Sequence, residues 1–190
     1  HKKLNNNDLG PNTGGMGAYS PTKLIDNEIT EKIIKQIIRP TLMELKKINI
    51  DYQGFLYAGL MIDKDKNPYV LEYNCRLGDP ETQAILMRLE SDIIDIFLAA
   101  INSKLGNLEI KWKNESACTI VLASKGYPGN YEKNKKIEGL EHEVNGVKIF
   151  HSGTKINNGH FVTNGGRVLS VTALGVNLQV AQAKAYDRCN

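Results

Sequence analysis

The spacing of apolar residues changes near Gly106, and this change limits the possible folds more than any other feature. Before Gly106, apolar residues recur at helical spacing, from residue 29 to 45 and again from 93 to 101. After Gly106, short runs of β-type residues alternate with turns rich in Gly, Asn and Lys. The pattern predicts an α+β protein with two domains, residues 1–106 and residues 107–190, the second small and mostly β.

Helix boundaries follow from capping residues. Asp26 or Asn27 is expected to cap the first helix, and Pro40, inside its apolar pattern, predicts a kink or a break. Asp79 followed by Pro80 is typical of a helix start, with Asp as N-cap and Pro as the first helical residue. Further helices are expected from residue 93 to about 105 and from 178 to 188.

Strands are expected where β-type residues lie between turn signals. Residues 54–62 and 69–75 predict a hairpin, whereas residues 5–21, rich in Asn, Gly and Pro, predict a loop. A second hairpin is expected to turn near residues 157–159. The remaining predicted strands are 117–123, 147–151, 160–162 and 167–173.

Composition excludes several classes of function. The chain has 24 Lys and Arg against 21 Asp and Glu, and this excess is too small to predict binding to nucleic acid or a membrane surface. No apolar run approaches the roughly 20 residues that span a bilayer. Three cysteines lie far apart, which predicts free thiols and a cytoplasmic location. The chain lacks an initial Met and is expected to be a piece of a longer polypeptide.

The sequence Glu72-Tyr73-Asn74-Cys75-Arg76 places three polar side chains at alternate positions of a predicted strand. Val70, Glu72, Asn74 and Arg76 would then share one face, with Cys75 packing on the other. Carboxylate and amide oxygens suit Mg²⁺, and a nearby Arg suits an oxyanion. A solvent-exposed strand face with an ordinary ion pair is the alternative, and the pattern alone favours it.

The glycine-rich stretch at residues 10–17 has two interpretations. Its backbone N–H groups can approach an anion closely, and Met16 suits a lid over a substrate. A loop that only turns a corner needs no ligand. The Walker A spacing is absent, so the glycines alone do not identify a nucleotide.

Lys155 and Arg167 lie on either side of the second predicted hairpin. If they occupy adjacent strands, two cations meet, and a phosphate between them would relieve their repulsion. Two solvated charges that point apart are the alternative.

Long motifs in this chain closely resemble those of phosphoribosylamine–glycine ligases, which are ATP-grasp enzymes. The resemblance covers essentially the whole chain in order. Its main stretches are residues 8–21, 54–61, 72–83, 126–129, 153–155 and 163–169. It implies that residues 1–106 are the C-terminal part of an ATP-grasp domain, an antiparallel sheet with helices, and that a small β-rich domain follows.

The resemblance also implies an activity. The family joins glycine to 5-phosphoribosylamine with ATP as co-substrate, giving 5-phosphoribosylglycinamide, ADP and phosphate through glycyl phosphate, in purine biosynthesis. Glu72 and Asn74 resemble the family's ligands for Mg²⁺ or Mn²⁺, and Arg76 resembles a catalytic arginine near the acyl phosphate. Lys155 and Arg167 resemble a clamp for the ribosyl phosphate. The implied substrate-binding residues are Asp8, Gly14, Gly15, Met16, Gly17, Asp79, Pro80, Glu81 and Thr82.

Some features depart from the family's pattern. The strand before Glu72 lacks the acidic ligand that some ATP-grasp relatives carry, and Leu77 replaces a Phe. The resemblance implies that the chain begins inside the ATP-grasp region, so the residues that hold adenine are expected to lie outside it and the fragment alone is expected to be inactive. Two alternatives stay open: a non-catalytic scaffold that retains this portion, and a sister ligase with another acceptor. The sequence leaves the oligomeric state unknown.

Overall fold

The structure is a computed structural model that describes residues 1–190. In chain order, the strands are β1 (Lys3–Asn5), β2 (Leu9–Asn12), β3 (Gly17–Ser20), β4 (Tyr57–Ile62), β5 (Pro68–Asn74), β6 (Ser116–Ala123), β7 (Val147–His151), β8 (Thr154–Asn157), β9 (His160–Thr163) and β10 (Arg167–Gly175). The α-helices are α1 (Asn27–Ile33), α2 (Arg39–Lys47), α3 (Glu81–Arg88), α4 (Ile93–Ile101) and α5 (Leu178–Cys189). All strand pairs are antiparallel, which confirms the α+β class. No helix is long and apolar enough to cross a membrane.

The chain forms two compact units, each built from separate stretches of sequence. The first unit comprises His1–Pro21, Asp79–Glu90 and Lys111–Asn190, and the second comprises Thr22–Gly78 and Ser91–Ile110. The division into domains at residue 106 stays a prediction, because these units describe contacts between residues rather than domains of a family.

The first unit is built on a four-stranded sheet in the order β3-β6-β10-β7. Central strand β10 is buried along almost its whole length, because α5 covers one face of it with Ala181 and Ala185. Small side chains on the helix allow this close approach. The same sheet buries a hydrogen bond between the hydroxyls of Thr119 and Thr172, at 2.9 Å. Packing against both sides of β10 therefore forms the core.

The N-terminal stretch is more regular than its composition predicts. Residues 5–21 were expected to be a loop, but β2 pairs with β1, and β3 forms an edge of the main sheet. At Gly17, a Cβ would lie only 2.7 Å from the carbonyl oxygen of Thr119. A glycine is therefore required for β3 to lie this close to β6. The loop prediction was wrong here because it took the glycines as a sign of a turn, whereas Gly17 allows two strands to pack closely.

The second unit contains α1, α2, the β4–β5 hairpin and α4. Asp26 caps α1, as predicted, by accepting a hydrogen bond from the backbone N–H of Ile29 at 2.9 Å. Of the kink or break predicted at Pro40, the break does not occur: a π-helical turn, Ile34–Ile38, joins α1 to α2 with helical backbone angles at the junction. The wider turn accommodates a proline that cannot donate a backbone hydrogen bond.

The turn of the second predicted hairpin lies where the sequence predicts it. The β8–β9 turn has positive φ at Asn158 and Gly159, 49° and 77°, the conformation that favours an Asn-Gly pair. Strand β4 begins at Tyr57 rather than residue 54, and α4 ends at Ile101 rather than near residue 105. The last helix extends one residue beyond its predicted end.

Candidate functional site

In the second unit, β5 carries Glu72 and Asn74 past a β-bulge. Glu72 pairs with Gly59, but the next pair joins Leu60 to Val70, so Leu71 is an extra residue. The alternation of side chains restarts after such a residue. By this register, Glu72 and Asn74 share one face, as predicted, whereas Val70 lies on the opposite face and its predicted place beside them is wrong.

The face of β5 that carries Glu72 fits a divalent cation. A Cβ at Gly59 would lie 3.1 Å from Cγ of Glu72, so a glycine opposite Glu72 leaves room for its side chain. Glu72 is exposed and Asn74 is half-buried, so both lie within reach of a ligand. Their carboxylate and amide oxygens are donors that hard cations such as Mg²⁺ prefer. The structure contains no group of three or more His, Cys, Asp or Glu side chains that could hold a metal. Two protein ligands would leave the other positions to water or substrate.

Arg76 lies beyond the strand, which ends at Asn74, so it does not continue the predicted polar face. Its side chain is exposed and donates a hydrogen bond from Nη1 to the carbonyl oxygen of Leu77, at 2.9 Å. The guanidinium therefore retains N–H groups for an anionic ligand.

Cys75 is exposed rather than packed, so the packing role predicted for it is wrong. The bend after β5 carries its side chain away from the alternating strand pattern. The pKa of Tyr52 is raised by partial burial and, next, by a hydrogen bond with the Cys75 thiol. The strand pattern gave no indication of this contact.

In the first unit, the glycine segment (residues 10–17) packs against the start of α3. Gly15 has a φ of 116°, and a Cβ there would lie 2.6 Å from Cδ of the buried Pro80 and 3.3 Å from the carbonyl oxygen of Asp79. At Gly14, a Cβ would lie 3.0 Å from the guanidinium carbon of Arg167. Gly15 is therefore required by its backbone conformation as well as by close contacts, whereas Gly14 lacks a positive φ and contacts only the end of the Arg167 side chain.

Arg167 forms hydrogen bonds with both the glycine segment and Asp79. Its Nη1 donates to the carbonyl oxygens of Gly14 at 2.9 Å and Asp79 at 3.0 Å, with a longer contact of 3.4 Å to Gly15. Its Nη2 forms an ion pair with the Asp79 carboxylate at 2.7 Å. A guanidinium has five N–H groups. The Nε–H and one Nη2–H have no protein acceptor among these contacts, and the side chain is 21% exposed.

The start of α3 differs from its prediction. The helix begins at Glu81, Pro80 occupies the cap position, and no side chain caps the helix. The prediction that Asp79 is the N-cap is wrong because its carboxylate is bound to Arg167 instead. Glu81 and Thr82 are half-buried in the first turn.

Lys155 and Arg167 do not occupy adjacent strands. Lys155 on β8 pairs with Val162 on β9, whereas β10, which begins at Arg167, pairs with β6 and β7. The predicted repulsion between the two cations therefore does not occur and gives no argument for a phosphate. The charge of Arg167 is instead balanced by Asp79. The backbones remain close: the N–H of Gly153 donates to the carbonyl oxygen of Arg167, at 3.0 Å.

Two other predicted residues lie near the N-terminus. Asp8 is 82% exposed and lies 3.3 Å from the imidazole of His1. The backbone N–H of Met16 donates to the carbonyl oxygen of His1 at 2.8 Å, and its carbonyl accepts from Val121 at 3.0 Å. Met16 is thus fixed by its backbone, while its side chain is only half-buried.

Tyr127 belongs with the glycine segment but was given no role from the sequence. Its hydroxyl accepts a hydrogen bond from the backbone N–H of Gly14 at 2.9 Å. The two residues are separated by 113 positions, so no local pattern indicates the contact. The only signal was the Gly126-Tyr127-Pro128-Gly129 motif in the family resemblance.

A groove of about 1080 Å³ lies in the same unit, away from these residues. It is lined by residues from α5, β7 and the loop before β7, including Lys184, Arg188 and Val147. None of the predicted site residues lines it, so its size does not indicate where the predicted chemistry occurs.

Comparison with known proteins defines the class first. Residues 1–82 match the family model described as "Phosphoribosylglycinamide synthetase, ATP-grasp (A) domain". A biotin carboxylase from Campylobacter jejuni has the same fold, with a TM-score of 0.64 at 16% identity over 91% of this chain and 38% of that chain. Taken together, the antiparallel fold and these matches define an ATP-grasp protein.

Residues 117–190 match the model "Phosphoribosylglycinamide synthetase, C domain". The chain belongs to the phosphoribosylglycinamide synthetase family. It is 53% identical over 188 residues to a phosphoribosylamine–glycine ligase of Vibrio parahaemolyticus, covering 98% of this chain and 44% of the relative. A crystal structure of the Thermotoga maritima ligase has a TM-score of 0.83 at 38% identity, covering 99% of this chain and 46% of that one. The chain therefore spans less than half the length of these relatives.

Proposed function

We propose that this chain is the C-terminal portion of an enzyme that ligates glycine to 5-phosphoribosylamine at the expense of ATP. The products are 5-phosphoribosylglycinamide, ADP and phosphate, a step of purine biosynthesis. The observation that carries the proposal is the 53% identity to a phosphoribosylamine–glycine ligase across nearly the whole chain. We place the enzyme in the cytoplasm, consistent with its three free thiols.

The reaction requires an activated carboxylate. The glycine carboxylate attacks the γ-phosphorus of ATP and ADP leaves, which gives glycyl phosphate. The amine of phosphoribosylamine then attacks the carbonyl carbon and loses a proton, and phosphate leaves with the former carboxylate oxygen. Phosphate is a far better leaving group than oxide, so the ligation becomes feasible.

Glu72 and Asn74 would hold a divalent cation, Mg²⁺ or Mn²⁺, with a carboxylate and an amide oxygen. Such an ion neutralises charge on the transferring phosphoryl group. Their shared face beyond the bulge and the space above Gly59 support this assignment. Arg76, exposed beyond the strand end, would stabilise negative charge at the acyl phosphate.

The first unit would bind the phosphoribosyl substrate. Gly14, Gly15, Met16 and Gly17 would enclose it, and the first turn of α3, including Glu81 and Thr82, would offer backbone N–H groups to an anion. Lys155 and the remaining N–H groups of Arg167 would bind the phosphate. The contacts among Gly14, Gly15, Asp79, Pro80 and Arg167 support one binding surface, with exposed Asp8 at its N-terminal side.

A chimera tests the proposal. The N-terminal portion of the Vibrio parahaemolyticus ligase is joined to these 190 residues, followed by any C-terminal residues of that relative that the alignment leaves out. ADP formation is then measured with each substrate omitted in turn. We expect turnover that depends on both glycine and phosphoribosylamine, and none from the 190 residues alone. A folded chimera that binds ATP without such turnover would contradict the proposal and favour the non-catalytic scaffold, and turnover with another amine would favour the sister ligase.

A further inference from the structure

The peptide groups of Gly14 are fixed from two sides. Its N–H donates to the hydroxyl of Tyr127, and its carbonyl accepts from Nη1 of Arg167, each at 2.9 Å. Tyr127 follows β6 and Arg167 begins β10, neighbouring strands of the main sheet. One residue of the glycine segment therefore brings a phenol and a guanidinium together.

The position of the Tyr127 ring is set by packing and not by Gly14 alone. A Cβ at Gly166 would lie 2.3 Å from Cδ2 of Tyr127 and 3.2 Å from Cε1 of Tyr131. The two tyrosine rings meet edge to face, with centroids 6.4 Å apart. The turn beneath them is fixed by Ser124, whose hydroxyl donates to the carbonyl oxygen of Gly165 at 2.8 Å. The hydroxyl of Tyr127 is therefore held in place before any ligand binds.

A tyrosine hydroxyl has one proton to donate and lone pairs to accept with. In Tyr127 a lone pair accepts from Gly14, and the hydroxyl proton has no protein acceptor in the structure. Arg167, on the other side of Gly14, likewise keeps the Nε–H and one Nη2–H. Unused donors from a neutral and a cationic side chain thus lie beside one glycine, and the nearest carboxylate, Asp79, is already paired.

We propose that the Tyr127 hydroxyl donates a hydrogen bond to the phosphate of the phosphoribosyl substrate, beside Arg167. The assignment rests on the proposed function, which places a ribosyl phosphate in this unit. A phosphate accepts several hydrogen bonds at once, and its charge strengthens each of them. The sugar hydroxyls are uncharged, so a cationic donor beside the tyrosine hydroxyl suits the phosphate better than the sugar.

The test uses the 190-residue chain, with ribose 5-phosphate and ribose as probes in isothermal titration calorimetry. Tyr127→Phe keeps the ring against Gly166 and removes only the hydroxyl, and Tyr131→Phe is the matched control on the neighbouring ring. A hydrogen bond to a charged group predicts a loss of about 10- to 100-fold in the affinity of Tyr127→Phe for ribose 5-phosphate. Affinity for ribose, and all affinities of Tyr131→Phe, should remain within about twofold.

Each other outcome has a distinct meaning. An unchanged affinity of Tyr127→Phe for ribose 5-phosphate overturns the assignment of Tyr127 and leaves the proposed function intact. Equal losses for ribose and ribose 5-phosphate also overturn it, because the hydroxyl would then act only through the glycine segment. Failure of the unsubstituted chain to bind ribose 5-phosphate overturns the phosphate site itself, and with it this part of the proposed function. Thermal unfolding of each variant checks that it is folded.

Discussion

Replacement of Gly15 by Ala is expected to destabilise the first unit strongly. The φ of 116° at Gly15 is unfavourable for any residue with a Cβ, at a cost of about 1–2 kcal/mol. The new methyl would also lie 2.6 Å from Cδ of Pro80, which is buried and cannot move without shifting the start of α3. Overpacking of this kind costs about 1–3 kcal/mol. The sum predicts a loss of about 2–5 kcal/mol in the free energy of unfolding.

A matched control separates the two causes. Gly139 lies in the same unit with a φ of 75°, and a Cβ there would have no neighbour within 4 Å. Gly139→Ala should therefore show only the backbone cost of about 1–2 kcal/mol. Urea unfolding, followed by the fluorescence of the single tryptophan, Trp112, measures both variants. Equal unfolding midpoints for Gly15→Ala and Gly139→Ala would refute the close contact between the glycine segment and Pro80.

Three further predictions use the same chain and the chimera. Glu72→Gln in the chimera should lower kcat greatly at limiting Mg²⁺ with little change in unfolding midpoint, because an exposed carboxylate is replaced by an amide of equal size; near-normal kcat would exclude Glu72 as a metal ligand. Arg167→Ala should raise the KM for phosphoribosylamine about 10- to 100-fold and leave the KM for ATP nearly unchanged, and an unchanged KM for phosphoribosylamine would exclude the clamp. Burial, with a smaller effect of Cys189, raises the pKa of the Cys118 thiol. Its contribution to stability is therefore complete below the usual thiol pKa of about 8.5 and is lost as pH rises above it. Urea midpoints from pH 7 to 10 should fall less in Cys118→Ala, and parallel curves would contradict this.

The sequence predicted features that depend on local spacing and could not predict those that depend on distant contacts. The cap at Asp26 and the Asn158-Gly159 turn follow from a few adjacent residues, and both are confirmed. The bulge at Leu71 is not visible in an alternating pattern, so Val70 was assigned to the wrong face.

The candidate site shows the same division. Arg167 was singled out both from the predicted hairpin and through the family resemblance, but neither indicated its real partner, Asp79, which lies 88 positions away. The ion pair with Arg167 also removes Asp79 from the capping role that its local sequence predicts. Tyr127 is the clearest omission, because a hydroxyl bound to a backbone N–H 113 positions away leaves no periodic or compositional signal.

The fate of the glycine carboxylate oxygens tests the central claim most directly. The chimera is supplied with glycine whose carboxylate carries ¹⁸O at both positions, together with ATP and phosphoribosylamine, and the released phosphate is analysed by mass spectrometry. Attack of the carboxylate on the γ-phosphorus predicts one ¹⁸O atom in each phosphate formed, because the bridging oxygen of glycyl phosphate leaves with phosphorus. Phosphate that contains no ¹⁸O, released at the same rate as the ligated product, would contradict ligation through an acyl phosphate.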